Sequence, residues 1–506
     1  MSGATDRGST GTADDAEPLV LAGVRLPGVD EPVDVHLAGG RVAAIQQAGS
    51  TRPTGARRVV LDGRFLLPGL YDRHVHLSQW AMVSRRIDLA GADSAAAVAA
   101  IVAASVDRGE PEVIGFGYRD GLWPDAPTRA VLDAVSGDVP VVLVAADLHA
   151  CWLNTAAAGR HGVGDAAGEG GVLREDDCFR LVRELDDVAD EVLDAWVADA
   201  AERAAAGGVV GVTDYEMRWN RDDWVRRAAG GIRSLRVSFG VYTQHLERAI
   251  DQGLHTGDAV PGTGGLVTVG GWKVITDGSL NTRTAWCFDP YPGLGPDEHP
   301  YGLATVSYDD LVPLMRRAHA AGLTPAVHAI GDRANARVLD AFEAVGCSGS
   351  IEHAQLLRHA DVARFAALGV VASVQPEHAM DDRDVADRYW DGRTDRAFML
   401  AELAAAGVEL ALGSDAPVAP LDPWVAIAAA VGRTRDGREP WHPEQAIEAG
   451  AALAASTGGR GASVRVGGPA DLAVVELDPL AASVDDLRRM PVAATLLAGR
   501  FTHGAR

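Results

Sequence analysis

Apolar positions in this chain fall into two kinds of run. Near the start, Leu19–Leu26, Val33–Leu37 and Val42–Gln46 are short and separated by Gly and Pro turns, and Val59–Leu61 precedes Gly63. Such runs predict the strands of a small antiparallel β unit. Asp471–Leu477 and Ala493–Phe501 repeat the pattern near the other end. Chain ends often lie close in space, so the two groups are expected to form one discontinuous domain. That domain is expected to be a small β-sandwich of residues 19–65 and 455–506.

Between them, apolar β-like runs alternate with alanine-rich helical stretches. Eight runs predict barrel strands: Leu66–His76, Val209–Tyr215, Ile232–Val241, Gly271–Thr276, Leu323–His328, Ser350–His353, Gly369–Gln375 and Val408–Asp415. Helices are expected over Asp309–Ala321, Asp332–Val345 and Ala360–Leu368. Alternation of this kind implies a parallel sheet covered by helices, and eight units imply an α/β fold of the (β/α)8, TIM-like barrel type over residues 66–454. The gap between the first two runs is too long for one unit. Residues 84–205 therefore read as an insertion after barrel strand 1, with strands of its own at Val113–Tyr118 and Val139–Ala146. Long segments after barrel strands build the substrate end, so the insertion is expected over the C-terminal mouth.

Composition narrows the classes. The 506 residues are 47% hydrophobic and 23% charged, which suits a large buried core. Residues 1–18 are rich in Gly, Ser, Thr and Asp, with neither a basic nor an apolar signal-peptide region, and read as a disordered tail. The net charge of −24 disfavours nucleic acid and anionic membrane as partners. No apolar run approaches the ~20 residues that span a bilayer. Four scattered cysteines, Cys151, Cys178, Cys287 and Cys347, form no CxxC pair and fit a reducing cytoplasm. A small-molecule substrate is the expected partner, and a homodimer is left open. Lysine occurs once, at Lys273, among 46 basic residues.

Chemistry-bearing residues gather at the ends of the predicted strands. In Asp72-Arg73-His74-Val75-His76, residues i and i+2 share a strand face, so two imidazoles point the same way and can chelate a borderline metal such as zinc. His328, His353 and Asp415 end three later runs, and Lys273 lies within the fourth. Each alone reads as packing or capping. Together they converge, because barrel strands aim their C-terminal ends at one point. Glu352, next to His353, is expected on the opposite strand face and outside the chemistry. Trp80, Tyr118, Trp123, Trp152 and Trp286 can line an apolar pocket.

The ordered motifs resemble family 3 of the amidohydrolase superfamily, the branch that includes N-substituted formamide deformylases. The carriers are Pro68-Gly69 with His74-Val75-His76, Pro127-Thr128-Arg129, Asp147-Leu148-His149 with Asn154, and Lys273 with Asp277-Gly278-Ser279-Leu280 and Arg283-Thr284-Ala285. The later carriers are His328 to Ala334, Ile351-Glu352-His353-Ala354-Gln355, Ser373-Val374-Gln375-Pro376 with His378, and Gly413-Ser414-Asp415-Ala416-Pro417. The resemblance implies one or two divalent ions, zinc first. For two ions, the resemblance implies that His74, His76 and Asp415 hold one and that His328 and His353 hold the other. In the two-ion version a carbamate on Lys273 bridges them. It also implies hydrolysis of an amide or formamide-like carbon–nitrogen bond by metal-activated hydroxide, with Asp415 and His149 as catalytic groups. Arg283, His378, Tyr118, Trp123 and Trp152 are the substrate-binding candidates.

Two other readings stand beside this one. A mononuclear zinc deaminase of the same superfamily would use His74, His76, His328 and Asp415 and leave Lys273 unmodified. A catalytically silent barrel scaffold would be marked by lost ligand positions, yet each is occupied here.

Overall fold

Eight strands pair in parallel as one sheet: β1 (Leu70–Val75), β2 (Val209–Asp214), β3 (Arg236–Tyr242), β4 (Val267–Ile275), β5 (Pro325–Ala329), β6 (Gly349–His353), β7 (Val370–Val374) and β8 (Leu410–Leu412). Each pairs with its sequence neighbours, and a parallel bridge between Val75 and Ala416 joins the first strand to the end of the last. This computed structural model describes residues 17–49, 55–118, 120, 123–145, 150–164, 166–168, 170–296 and 299–504, so the expected tail lies almost wholly outside the described residues. The later barrel helices follow the pattern read from the sequence: Tyr308–Ala320, Asp332–Val345 and His359–Leu368. Ser307 caps the first of these by accepting from the Asp310 amide. Gly346 and Gly369 end the other two in left-handed conformation.

The run Leu66–His76 is two strands rather than one. Phe65–Pro68 pairs antiparallel with Leu472–Val475, and the chain then crosses into β1. Gly69 makes the crossing, and a Cβ there would lie 2.3 Å from Cγ1 of Val210. Only a residue without a side chain lets the two strands approach so closely.

Strands from both chain ends make two four-stranded sheets. One holds Leu19–Val24, Val33–Ala38, Arg41–Gln47 and Arg57–Val60. The other holds Phe65–Pro68, Leu472–Val475, Val492–Leu497 and Arg500–Gly504. Leu21, Val35, Leu66, Val474 and Leu496 belong to one buried cluster fed by both sheets. One pairing departs from an antiparallel unit: Arg57–Val60 runs parallel to Leu19–Val24.

By Cα packing, Ser78–Val197 forms a compact unit separate from the rest of the chain. It carries a five-stranded sheet of Ile87–Asp88, Val113–Tyr118, Val141–Ala145, Ala150–Leu153 and Val172–Arg174. Side chains alternate across it, so Val141 and Leu143 pack into one apolar cluster and Val142 and Val144 into another. Among the described residues no helix is long and apolar enough to cross a membrane.

Candidate metal centre

The bridge that joins first and last strands also builds the site. His76 N donates to Ala416 O at 2.8 Å, and Asp415 N donates to His74 O at 2.7 Å. Beneath them, buried Asp72 accepts from the amides of His74 (3.1 Å) and Ser414 (2.9 Å), tying the two strand ends together. Nε2 of His74 and of His76 then lie 3.5 and 3.4 Å from Oδ1 of Asp415. Asp415 holds φ at 57°, left-handed backbone that Asp tolerates better than most residues and that aims its carboxylate at the imidazoles.

On β6 the structure overturns one expectation. Glu352 does not face away from the site: its Oε2 accepts from His74 Nδ1 at 2.8 Å. Strict alternation would then send His353 outward. The left-handed turn at His353 (φ 76°) and Ala354 (φ 44°) swings it back. His353 Nδ1 lies 2.8 Å from Oε1 of Gln375, so both His74 and His353 donate Nδ1–H outward and keep Nε2 bare for the centre. The His353 ring lies 4.4 Å from that of His328 and 4.9 Å from that of His74.

Lys273 is buried on β4 with Nζ 3.5 Å from His74 Nε2 and 4.2 Å above the centre of the Tyr215 ring. Tyr215 donates its hydroxyl to Glu352 Oε1 at 3.3 Å. Asp277, just past β4, accepts from the amides of Trp286 (2.9 Å), Ile330 (3.0 Å) and Gly331 (2.8 Å) and pins the segment after β4 to the end of β5, beside His328.

Electrostatics follow from burial. Desolvation, aided by the Lys273 charge, lowers His74 and takes His328 down to about 3. His353 falls well below the ordinary imidazole range, by burial and then by His328. These rings are neutral at physiological pH. His76 goes the other way: burial opposes it, but the Asp415 carboxylate raises it. Burial brings Lys273 down to about 8, against the pull of Glu352 and Asp415. Glu352 sits at about 2 although burial opposes ionisation, because Lys273 and His74 face it.

Of the residues singled out in the sequence, His74, His76, Lys273, His328, His353, His378 and Asp415 come together. His378, from the first turn of helix Pro376–Tyr389, brings Nε2 to 4.0 Å from Asp415 Oδ2 and stacks on His353. Arg283 places its guanidinium 5.4 Å from the centre of the Tyr389 ring. Tyr118, Trp123 and Trp152 pack on one another at 5.8–6.4 Å within the second unit, where Tyr118 and Trp152 are buried in its apolar core. Trp80 is half-buried on Leu77–Val83, and Trp286 stacks under Arg333. His149 lies outside the described residues. Glu352 and Asp72 are the polar groups that sequence reading left out of the site.

The donor set fits a divalent cation. His74, His76 and Asp415 offer ligand atoms within 4.8 Å of one another, and so do His353, His378 and Asp415. The ring nitrogens His328 Nε2 and His378 Nε2 are buried without a hydrogen-bond partner among the described residues, and lie 3.5 Å from Asp277 Oδ1 and 4.0 Å from Asp415 Oδ2. Buried polar atoms normally find partners, so unpartnered imidazole nitrogens around a carboxylate mark a place for a ligand.

Comparison with known proteins agrees with this geometry. The profile of the amidohydrolase family matches residues 59–503. The chain is 28% identical over 488 residues to the putative amidohydrolase YtcJ of Bacillus subtilis, covering 88% of this chain and 90% of that one. It is 27% identical over 521 residues to the N-substituted formamide deformylase of Arthrobacter pascens, covering 92% and 94%. An uncharacterized metal-dependent hydrolase from Pyrococcus horikoshii superposes with a TM-score of 0.76 over 92% of this chain and 99% of that one, at 24% identity, a likeness of fold.

Proposed function

The chain belongs to the amidohydrolase family, and on that footing we propose that it hydrolyses the carbon–nitrogen bond of a small amide or formamide at a zinc centre held by His74, His76, Lys273, His328, His353 and Asp415. The observation that carries the reading is the meeting of four neutral or hydrogen-bonded imidazoles, one ionised aspartate and the chain's single lysine at the strand ends of one barrel. Zinc suits a set of imidazoles and one carboxylate. Such an ion, when bound, supplies the Lewis acidity that polarises a carbonyl and makes water a nucleophile near neutral pH.

The protein's own groups do the rest. Glu352 and Gln375 hold His74 and His353 in the tautomer that faces inward. Asp415 is held well below the usual carboxylate range; burial opposes this, and His74 and His76 outweigh it. It is therefore ionised and able to take a proton from the attacking water. As the water oxygen bonds to the carbonyl carbon and the C–N bond breaks, Asp415 returns that proton to the leaving nitrogen, and an acid and an amine depart.

Lys273 supports a two-ion version. At about 8 a fraction of its amine is neutral at physiological pH. Neutral Nζ could add to the carbon of CO2 with loss of one proton to solvent, and the resulting carbamate would supply an anionic ligand to the ions that His74, His76, His328, His353 and Asp415 would hold. Arginine cannot do this, since its guanidinium stays protonated.

A screen of the zinc-loaded protein against N-formyl amines, N-acyl amino acids and cyclic amides tests the reading. Release of acid and amine supports it. Ammonia release from aminated rings alone transfers the site to the deaminase chemistry, and a fully loaded protein without turnover on any class refutes the reading.

A further inference from the structure

His353 and His378 face the same centre with rings nearly parallel, 15° apart and 6.3 Å between centres, yet their hydrogen bonds differ in kind. Gln375 turns its carbonyl oxygen to His353 Nδ1, which must then donate and leave Nε2 bare. Gln355 turns its amide nitrogen to His378 Nδ1 at 3.4 Å. An amide nitrogen only donates, so Nδ1 of His378 accepts and the ring proton resides on Nε2. Turning the amide over would leave a buried NH2 without an acceptor. As it stands, only the Gln355 carbonyl oxygen of the two groups is unpartnered among the described residues, the milder of the two defects.

That Nε2–H is buried and has no hydrogen-bond partner among the described residues. Asp415 Oδ2, at 4.0 Å, is too distant to accept it. A donor held in place, aimed at the centre and left without an acceptor is what a developing oxyanion requires. We infer that His378, although close enough to His353 and Asp415 to be counted with them as a cation ligand, is instead a catalytic residue that donates its Nε2–H to the carbonyl oxygen of the substrate during attack, and that Gln355 fixes the tautomer that makes it a donor. No proton leaves His378; it contributes a hydrogen bond that strengthens as charge builds on the oxygen. The inference rests on the amide-hydrolase reading and adds to it a second electrophile beside the metal.

The test uses the full-length, metal-loaded protein, with His378→Phe to keep the ring but remove the N–H and His378→Gln to restore a donor. With an amide substrate from the screen, His378→Phe is expected to lower kcat by about 10²- to 10³-fold with little change in KM, and His378→Gln to recover part of that loss. Cobalt-substituted wild type and His378→Phe are expected to show the same ion content and visible bands. The nitrogen spectrum of histidine-labelled protein should contain one resonance, absent in the variant, from a protonated Nε2. Cobalt bands that change on substitution, or a bare Nε2, would overturn the proposal and make His378 a metal ligand. So would equal kcat in wild type and His378→Phe. The cobalt and nitrogen readouts need no turnover. A wild type inactive on amides therefore fails the hydrolase reading, while these two still judge the tautomer.

Discussion

Glu352 Oε2 and His74 Nδ1, 278 positions apart in the chain, meet at 2.8 Å inside the barrel. The carboxylate sits behind the imidazole, fixes which nitrogen is bare, and makes that nitrogen more basic. Tyr215 and Ser350 both hydrogen-bond its other oxygen, so it has little freedom to turn away. Carboxylate, histidine and metal in line is a recurrent way to tune a cation site.

Glu352→Gln keeps the shape and removes the charge. Zinc affinity, read by competition with a chromophoric chelator, is expected to fall about 10-fold or more. Unchanged affinity in a folded variant would reduce Glu352 to a structural group.

Lys273→Arg tests the bridging role. The wild type is expected to bind two zinc ions per chain once bicarbonate is supplied, with occupancy of the second ion rising as pH passes about 8, where the amine becomes neutral. The variant is expected to bind one ion at every pH. Metal analysis after gel filtration decides it, and two ions in the variant would remove the carbamate from the account.

His76 is expected to set the acid limit for metal uptake. Its folded pKa is raised by Asp415, whereas His74, His328 and His353 are lowered and stay neutral through the same range. Zinc must displace the His76 proton, so affinity is full above that raised value and falls as pH drops through it, with release of about one proton per ion. Calorimetry in buffers of different ionisation enthalpy measures that proton. Pronounced multi-proton release near neutral pH would show that the other imidazoles are charged as well.

Gly69→Ala tests the crossing between the end domain and the barrel. The added Cβ meets Val210 Cγ1 at 2.3 Å, and relief requires a shift of β1 against β2. A cost of about 1–3 kcal/mol in urea unfolding is expected. An unchanged midpoint would mean that the strands separate easily there.

Much of this architecture is legible in the chain because barrel strands are local apolar runs that stop at a polar residue. His74, His328, His353 and Asp415 all stand at such stops. Glu352 was not legible, since alternation places neighbours on opposite faces and nothing in the residue names announces the left-handed turn at His353 that brings both inward. Gln375 and Gln355 stood within the motifs, but their opposite effects depend on which amide atom faces each ring. The parallel pairing of Arg57–Val60 with Leu19–Val24 is a long-range choice that periodicity does not encode. The break at Gly69 did leave a sign, a Pro-Gly pair inside an otherwise continuous run.

The residues gathered at His74 and Asp415 are proposed to bind a divalent ion and to hydrolyse a carbon–nitrogen bond with it. The most direct measurement is amine release from the best amide of the screen by four samples: protein as loaded with zinc, the same protein after chelation, the chelated protein reloaded, and zinc-loaded His74→Ala. Turnover is expected in the first and third and none in the second and fourth, with unchanged circular dichroism throughout. Amine release that persists in chelated protein or in His74→Ala would contradict it.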